Sequence, residues 1–246
     1  MKFSIVIPAF NEARWIDKTL QAVIAQTYRD FEVIVVDNNS TDTTKEIVQS
    51  FSQTYPQVKL VSCPTPGILH ARNCGLQAAQ GEIIVQLDAD NIPKKDWLQN
   101  AASHFERENV VALAGFYDYY DANFIFRYGG LLVERLTLPL GNWYVQKRKF
   151  GAFMIGGDAF IKKWVLEDMK GYDTNHTFCS EDLVTAREVA KRGWVKYCTD
   201  LTVKSSARRH KALGYKKVQR QYNLGTSAVL RGKPIPNQPE EYQHPR

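Results

Sequence analysis

The stretch Glu82-Ile83-Ile84-Val85-Gln86-Leu87-Asp88-Ala89-Asp90 decides how this chain folds. Its first six residues are a short, nearly continuous apolar run, the kind that lies buried on both faces of a parallel sheet. The run stops at two carboxylates two residues apart, which at the end of a strand face the same side. Their mutual repulsion is relieved by a cation between or beside them. Hard divalent cations such as Mg2+ or Mn2+ take carboxylate oxygens together with substrate phosphates. Asp-x-Asp alone is a weak pattern, and its position after a strand gives it weight.

Working outward, the same alternation recurs. Residues 3–8 form a strand closed by Pro8, and residues 12–27 place Ile16, Leu20, Val23, Ile24 and Thr27 on one helical stripe. Residues 31–36 make a second β-branched strand that runs into Asp37-Asn38-Asn39-Ser40, with Ser40 as N-cap of a helix carrying Ile47, Val48 and Phe51. A strand over 58–62, a helix over 68–80, a helix opened by Pro93 and a strand over 110–114 follow. This order predicts an α/β fold, a mainly parallel sheet with helices on both faces. Ligands of such sheets bind beyond the carboxyl ends of the strands. Three polar clusters stand there: Asn11-Glu12, Asp37 to Asp42, and Asp88 to Asp90. One cluster is what turns favour anyway; three on one edge point to a site.

Past residue 116 the alternation fails. Residues 117–149 resist a period, and Pro139 with two glycines argues against one continuous helix. Residues 154–161 read as a strand, 180–192 as a helix with an acidic first turn, and 195–205 as a strand followed by a basic helix to about 230. The tail 233–246 holds four of the ten prolines and is expected outside the core.

The 246 residues are 44% hydrophobic and 24% charged, with a net charge of +6 and a pI near 9.0. Such a chain supports a sizeable core in one large domain or two small ones. No apolar stretch reaches the ~18–20 residues of a membrane span. Met1-Lys2 leads straight into a strand, without a signal peptide. The four cysteines form no CxxC pair and suggest neither a disulfide framework nor a zinc site, so the expected setting is the reducing cytosol. Residues 143–233 carry 19 Lys and Arg against 8 Asp and Glu. That half meets something anionic or is simply a solvated basic face.

The successive motifs Val6-Ile7-Pro8-Ala9-Phe10-Asn11-Glu12, Val35-Val36-Asp37-Asn38-Asn39-Ser40-Thr41-Asp42, Gly67, Ala71-Arg72-Asn73-Cys74-Gly75, Asp88-Ala89-Asp90, Gly156-Gly157-Asp158-Ala159-Phe160 and Ser180-Glu181-Asp182 resemble those of family 2 glycosyltransferases. The ordered set covers about residues 3–200. The resemblance implies a GT-A fold, a nucleotide-diphosphate-sugar donor (UDP- or GDP-sugar), a divalent metal (Mg2+ or Mn2+) and inversion at the anomeric carbon. It assigns Asp37 to the base, and Pro8, Ala9, Asn11 and Glu12 to the nucleotide pocket. Arg72 goes to the base or diphosphate, Asp88 to the ribose, Asp90 to the metal and Asp182 to the catalytic base. His210 is a further candidate metal ligand; if it is not one, Arg208 and Arg209 can still contact the diphosphate as charge clamps. Glu181 either binds acceptor or stabilises its helix start.

On this reading residues 3–212 are one GT-A domain, with a nucleotide-sugar half over 3–115 and an acceptor half over 116–212. Residues 213–246 add a C-terminal helix and a Pro-rich tail. The acceptor is a hydroxyl on a saccharide, a lipid-linked molecule or another compound. Residues 124–149 are either an interfacial element on an anionic membrane or a lid over the acceptor cleft. The protein is then cytoplasmic, with a peripheral place at the inner face of a membrane under the first alternative. A sugar-phosphate nucleotidyltransferase would need a basic phosphate loop after the first strand, where Ala9-Phe10-Asn11-Glu12 stands. A non-enzymatic membrane- or RNA-binding protein is the remaining rival. No RNA-binding motif or zinc spacing is present, so nucleic acid is not an expected partner.

Overall fold

The computed structural model describes residues 1–106, 109–176 and 180–235. In chain order these are β1 (Phe3–Ala9), α1 (Ile16–Ile24), β2 (Phe31–Asp37), α2 (Thr44–Thr54), β3 (Val58–Ser62), α3 (Ile68–Ala78), β4 (Ile83–Leu87), α4 (Trp97–His104) and β5 (Val110–Tyr119). A π-helical turn (Ile125–Gly129) leads into α5 (Gly130–Lys147), followed by β6 (Asp158–Lys162), α6 (Lys163–Asp168), α7 (Glu181–Ala190), β7 (Trp194–Ser205), α8 (Arg208–Leu213) and α9 (Tyr215–Leu230).

The strands form one seven-stranded sheet in the order β3-β2-β1-β4-β6-β5-β7. β1 to β4 are mutually parallel, as their βα alternation dictates. β6 enters antiparallel between β4 and β5, with Asp158 opposite Leu87. That pairing brings the Gly156-Gly157-Asp158 segment to the end of β4, beside Asp88. Along β1, Phe3, Ile5 and Ile7 point into the layer closed by α1 and α4, while Val6 joins Ile34, Val36 and the α3 residues Leu69 and Ala71 on the other face. In α1, Ile16, Leu20 and Val23 are fully buried. Each such side chain stabilises by roughly 1.5–3 kcal/mol, and Leu20→Ala costs about 2–5 kcal/mol.

Several local expectations are corrected. Ser40 is not a helix cap: α2 begins four residues later, because the Ser40 hydroxyl instead accepts the Asn11 N–H at 3.0 Å. Pro93 does not open α4, which starts at Trp97; the preceding Ile92 exchanges backbone hydrogen bonds with Lys204 of β7. Residues 154–157 lie outside the strand, which starts only at Asp158. The basic C-terminal helix is two helices, broken at Gly214 with φ 87°. Pro139 lies inside a helix that runs on from the π-turn to Lys147. Proline costs α5 one backbone bond. Inward hydrogen bonds from Arg135, Asn142 and Gln146 to β7 compensate.

The cysteine expectation is corrected as well. Cys63, just past β3, and Cys74 of α3 form a disulfide with Cα atoms 6.2 Å apart, because α3 packs directly over that strand end. Cys198 is a buried free thiol, which burial pushes up to about 12. Cys179 and the tail from residue 236 lie outside the described residues. Among the described residues no helix is long and apolar enough to cross a membrane.

Candidate active site

The carboxyl ends of β1, β2 and β4 supply the floor. β1 ends at Pro8 and Ala9, and the chain then reverses at Asn11, whose φ of 55° is one that Asn tolerates better than most residues. The Asn11 Oδ1 accepts the Thr41 N–H at 2.7 Å, and the Glu12 N–H donates to the Thr44 hydroxyl at 2.9 Å. The loops after β1 and β2 are therefore laced together. Asp37 closes β2 and is 1% exposed. Its Oδ1 accepts the Ser40 N–H at 3.3 Å. Its Oδ2 makes no hydrogen bond, although the Lys45 ammonium stands 3.3 Å away. Next to it, the Asn38 amide clamps the loop that carries Gly67, donating to the carbonyls of Cys63 and Thr65 and accepting the Gly67 N–H.

At the end of β4, the Tyr117 hydroxyl donates to Asp88 Oδ2 at 3.0 Å. Asp90 is buried with Arg208 Nε 3.0 Å from its Oδ2. The Arg208 guanidinium also forks onto Glu12, at 2.8 and 2.5 Å. Burial pushes the Asp90 carboxyl up to about 7; the carboxylates of Asp88 and Glu12 add to this and Arg208 opposes it. Three acids thus converge where one guanidinium supplies the counter-charge.

The opposite wall comes from α7. Asp182 Oδ1 pairs with Arg72 Nη1 at 3.1 Å, and its Oδ2 accepts the Gly156 N–H at 2.9 Å. Arg72, expected at the base or diphosphate, is buried; it completes a ring by donating to the Gly156 carbonyl at 3.0 Å. Burial disfavours its charge, but Asp182, Asp88 and Glu181 outweigh that and raise its pKa. Glu181 is buried beside it with Oε2 unpartnered, and burial, then Asp182, push its carboxyl up to about 8.

His210 is 4% exposed and boxed by the rings of Tyr119, Phe126 and Tyr215, at 4.8, 5.0 and 5.6 Å. Burial, reinforced by Arg209, lowers its pKa to about 4, and its Nδ1 has no hydrogen-bond partner. The carboxylates of Asp88 and Asp90 are of the type that Mg2+ or Mn2+ takes, and the orphaned neutral imidazole nitrogen of His210 is a donor type that Mn2+ also accepts. A separate cluster, His104, Cys198 and Asp200, lies at the edge strand β7, with ligand atoms within 4.8 Å of one another. There both imidazole nitrogens are already engaged, by Lys196 at 2.8 Å and Asp200 at 3.0 Å.

Sequence reasoning missed Tyr117, Asn91, whose amide donates to the Gly157 carbonyl at 2.8 Å, and Trp97, whose indole N–H donates to the buried Asp158 at 3.0 Å. The Gly156-Gly157 pair carried the signal. A Cβ at Gly156 would collide with the Asp182 carboxylate, and one at Gly157 with Asp88 and the Tyr117 hydroxyl. Only glycine lets the backbone pass this close to both acids.

The model of glycosyl transferase family 2 matches residues 4–168 of this arrangement, from β1 through α6. The chain belongs to that family. Glycosyltransferase AglE of Haloferax volcanii is 32% identical over 203 residues, which are 80% of this family 2 chain and 61% of AglE. Mannosyltransferase PcManGT from Pyrobaculum calidifontis, solved with GDP-Man and Mn2+, superposes with a TM-score of 0.74 at 25% identity, covering 96% of this chain and 66% of that one. TarS of S. aureus (residues 1–349) shares the fold, with a TM-score of 0.69 at 19% identity over 94% of this chain and 70% of that one. The family 2 chain thus spans about three fifths of AglE and two thirds of the solved PcManGT chain. The mixed sheet flanked by helices is the expected GT-A architecture.

Proposed function

We propose that this chain is an inverting glycosyltransferase that moves a sugar from a UDP- or GDP-sugar to a hydroxyl acceptor, with Mg2+ or Mn2+ as cofactor. The observation that carries the reading is the convergence, at one sheet edge, of Asp37, Asp88 and Asp90 with an Asp182 fixed from across the cleft by Arg72 and Gly156. PcManGT was solved with GDP-Man and Mn2+, and a TarS structure is a complex with UDP-GlcNAc; both support a nucleotide-sugar donor.

Asp37 takes the base with its unbonded Oδ2, and Pro8, Ala9 and Asn11 wall the nucleotide. Asp88, oriented by Tyr117, takes the ribose. Asp90 holds the metal, with His210 Nδ1 as the second candidate ligand. When bound, the metal offsets charge growing on the departing diphosphate. Glu12 acts through Arg208, holding that guanidinium over the diphosphate side. Arg72 and the Gly156 N–H orient Asp182, which accepts the proton of the acceptor hydroxyl. That oxygen attacks the anomeric carbon from the face opposite the diphosphate. The new C–O bond forms, and the electron pair of the old one leaves with the diphosphate.

The same proposal gives residues 3–115 to the donor and 116–212 to the acceptor. It puts the enzyme in the cytoplasm, peripheral at the inner face of an anionic membrane when its acceptor is lipid-linked. A thermal-shift screen of nucleotide-sugars with and without Mn2+ tests the core of it. One donor should raise the melting temperature in a Mn2+-dependent, saturable way. If no nucleotide-sugar does, the reading fails.

A further inference from the structure

The helix α5 is built inside out. A helix on a domain surface turns its apolar stripe to the core and its polar face to water. Here Ile125, Tyr128, Leu132, Leu136, Leu140 and Trp143 recur every three or four residues and are 50–82% exposed. They form one outward stripe about 28 Å long at 1.5 Å per residue. The polar side chains do the opposite. Arg127 forks onto Asp118 at 2.6 and 2.8 Å, and Arg135 reaches Thr202 at 3.1 Å. Asn142 is 2% exposed; it donates to the Val195 carbonyl at 2.8 Å and accepts the Phe153 N–H at 2.9 Å. Gln146 both donates to and accepts from the Val195 backbone, at 2.9 and 2.8 Å. The helix is pinned to β5 and β7 through its polar face and cannot roll its apolar face inward.

Charge says what covers that face. The stripe ends in Lys147, Arg148 and Lys149, all exposed. Trp143 and Lys147 face Trp194 and Lys196 across a shallow cleft of about 320 Å³. Lipid-facing aliphatics giving way to Trp and Lys is the chemistry of a bilayer interface. Among the described residues no helix can span a membrane, so the element lies on the surface rather than across it. The basic excess of residues 143–233 favours an anionic leaflet.

We infer that the outward face of the π-turn and α5 seats this protein in the interface of an anionic lipid bilayer, with its aliphatic stripe among the acyl chains and Lys147 to Lys149 at the headgroups. The inference deepens the proposed function. Phe126 of the π-turn packs on His210 and Tyr215, at 5.0 and 4.4 Å, so the stripe begins beside the proposed metal ligand His210. A docked enzyme holds that residue near the membrane, where the acceptor class it fits is an amphiphile whose hydroxyl-bearing head lies at the surface.

Vesicle flotation of the full chain tests this, with phosphatidylcholine alone and with phosphatidylglycerol added. The protein should float with the anionic vesicles, weaken in high salt, and lose at least about tenfold in partitioning in the double variant Leu136→Glu, Leu140→Glu. In the unaltered protein, vesicles should blue-shift the tryptophan emission, and lipids brominated in the acyl chain should quench it; this readout needs no variant to fold. Equal binding to neutral vesicles, or none to either, overturns the inference. So does a concentration-dependent dimer in light scattering that the double variant abolishes while vesicles do not compete for it; the face would then belong to a second copy. Donor-induced stabilisation should be the same in the double variant. Loss of flotation with donor stabilisation intact removes the docking alone. Flotation without any donor response removes glycosyl transfer and leaves the docking standing.

Discussion

The sheet edge and α5 solve opposite problems with the same residue types. At the edge, ionisable groups are gathered inward: Asp90, Glu181, Arg72 and His210 are all at least nine-tenths buried, and Glu181 and His210 each keep an atom without a hydrogen-bond partner. On α5, Leu132, Leu136 and Leu140 stand in solvent while Asn142 is buried. The ordinary helix α1 buries Ile16, Leu20 and Val23 and shows which arrangement stability alone selects. Both exceptions carry a cost: desolvated charge at the edge, hydrated apolar surface on α5. A fold keeps such costs where something binds. The difference also sets tolerance, since the edge has no room for an added atom and α5 has open space on its outer side.

The edge is therefore where substitutions should hurt most. Asp182→Asn keeps the side-chain size but removes the proton acceptor and one of the two oxygens that hold Arg72 and Gly156; turnover should fall about 10²–10⁴-fold while donor affinity from the melting shift stays within a few-fold. If turnover survives within a few-fold, Asp182 is not the proton acceptor, and its part is the pairing with Arg72 and Gly156. Next comes Gly157→Ala, whose new methyl would displace both Asp88 and the Tyr117 hydroxyl. Overpacking of this kind costs roughly 1–3 kcal/mol. Donor affinity should weaken further than the lost stability explains. Unchanged donor binding in a folded Gly157→Ala protein would remove Asp88 from the nucleotide site.

The same contrast explains what was legible in the sequence. β1 to β4 could be read because buried parallel strands announce themselves as β-branched runs, and the carboxylates after them because polar residues rarely follow such runs three times by accident. The ring of Arg72, Asp182 and Gly156 joins residues 84 and 110 positions apart, and the Glu12–Arg208 fork spans 196. No local pattern reports such pairs. Tyr117 was lost for the same reason, although the paired glycines that make room for it were in view. The reading of α5 failed differently. Periodicity assumes that apolar residues face inward, and on this helix they face out; Pro139 sits inside it, where side-chain bonds to β7 that periodicity does not see hold the helix in place.

A pH series separates the regions further. Glu181 holds its proton in the folded protein up to about 8, against an ordinary 4.5. Its contribution to stability is therefore fully present below pH ~4.5 and is lost as pH rises through about 8, at a slope of up to about 1.4 kcal/mol per pH unit. Glu181→Gln mimics the protonated form. It should flatten the fall in melting temperature between pH 5 and 8, leaving a residual slope to which Asp90, at about 7, contributes. An unaltered slope would mean that Glu181 is not desolvated at all.

The smallest effect is expected where the molecule is roomiest. Gly130 has helical φ −59°, and a Cβ built on it meets nothing within 4 Å. Glycine inside a helix gives up about 0.5–1 kcal/mol relative to alanine through the freedom it has when unfolded. Gly130→Ala should therefore stabilise by that amount, and thermal or urea unfolding resolves it. The sign matters more than the size. The same chemical change, one methyl on a glycine, is expected to destabilise at Gly157 and stabilise at Gly130. The reason is that the segment just before β6 must pass against Asp88 and the Tyr117 hydroxyl, whereas the start of α5 has open space around Gly130. A destabilising Gly130→Ala would show that the start of α5 is not open around Gly130 in solution. The contrast between a closed edge and an open helix would then break at its weakest point.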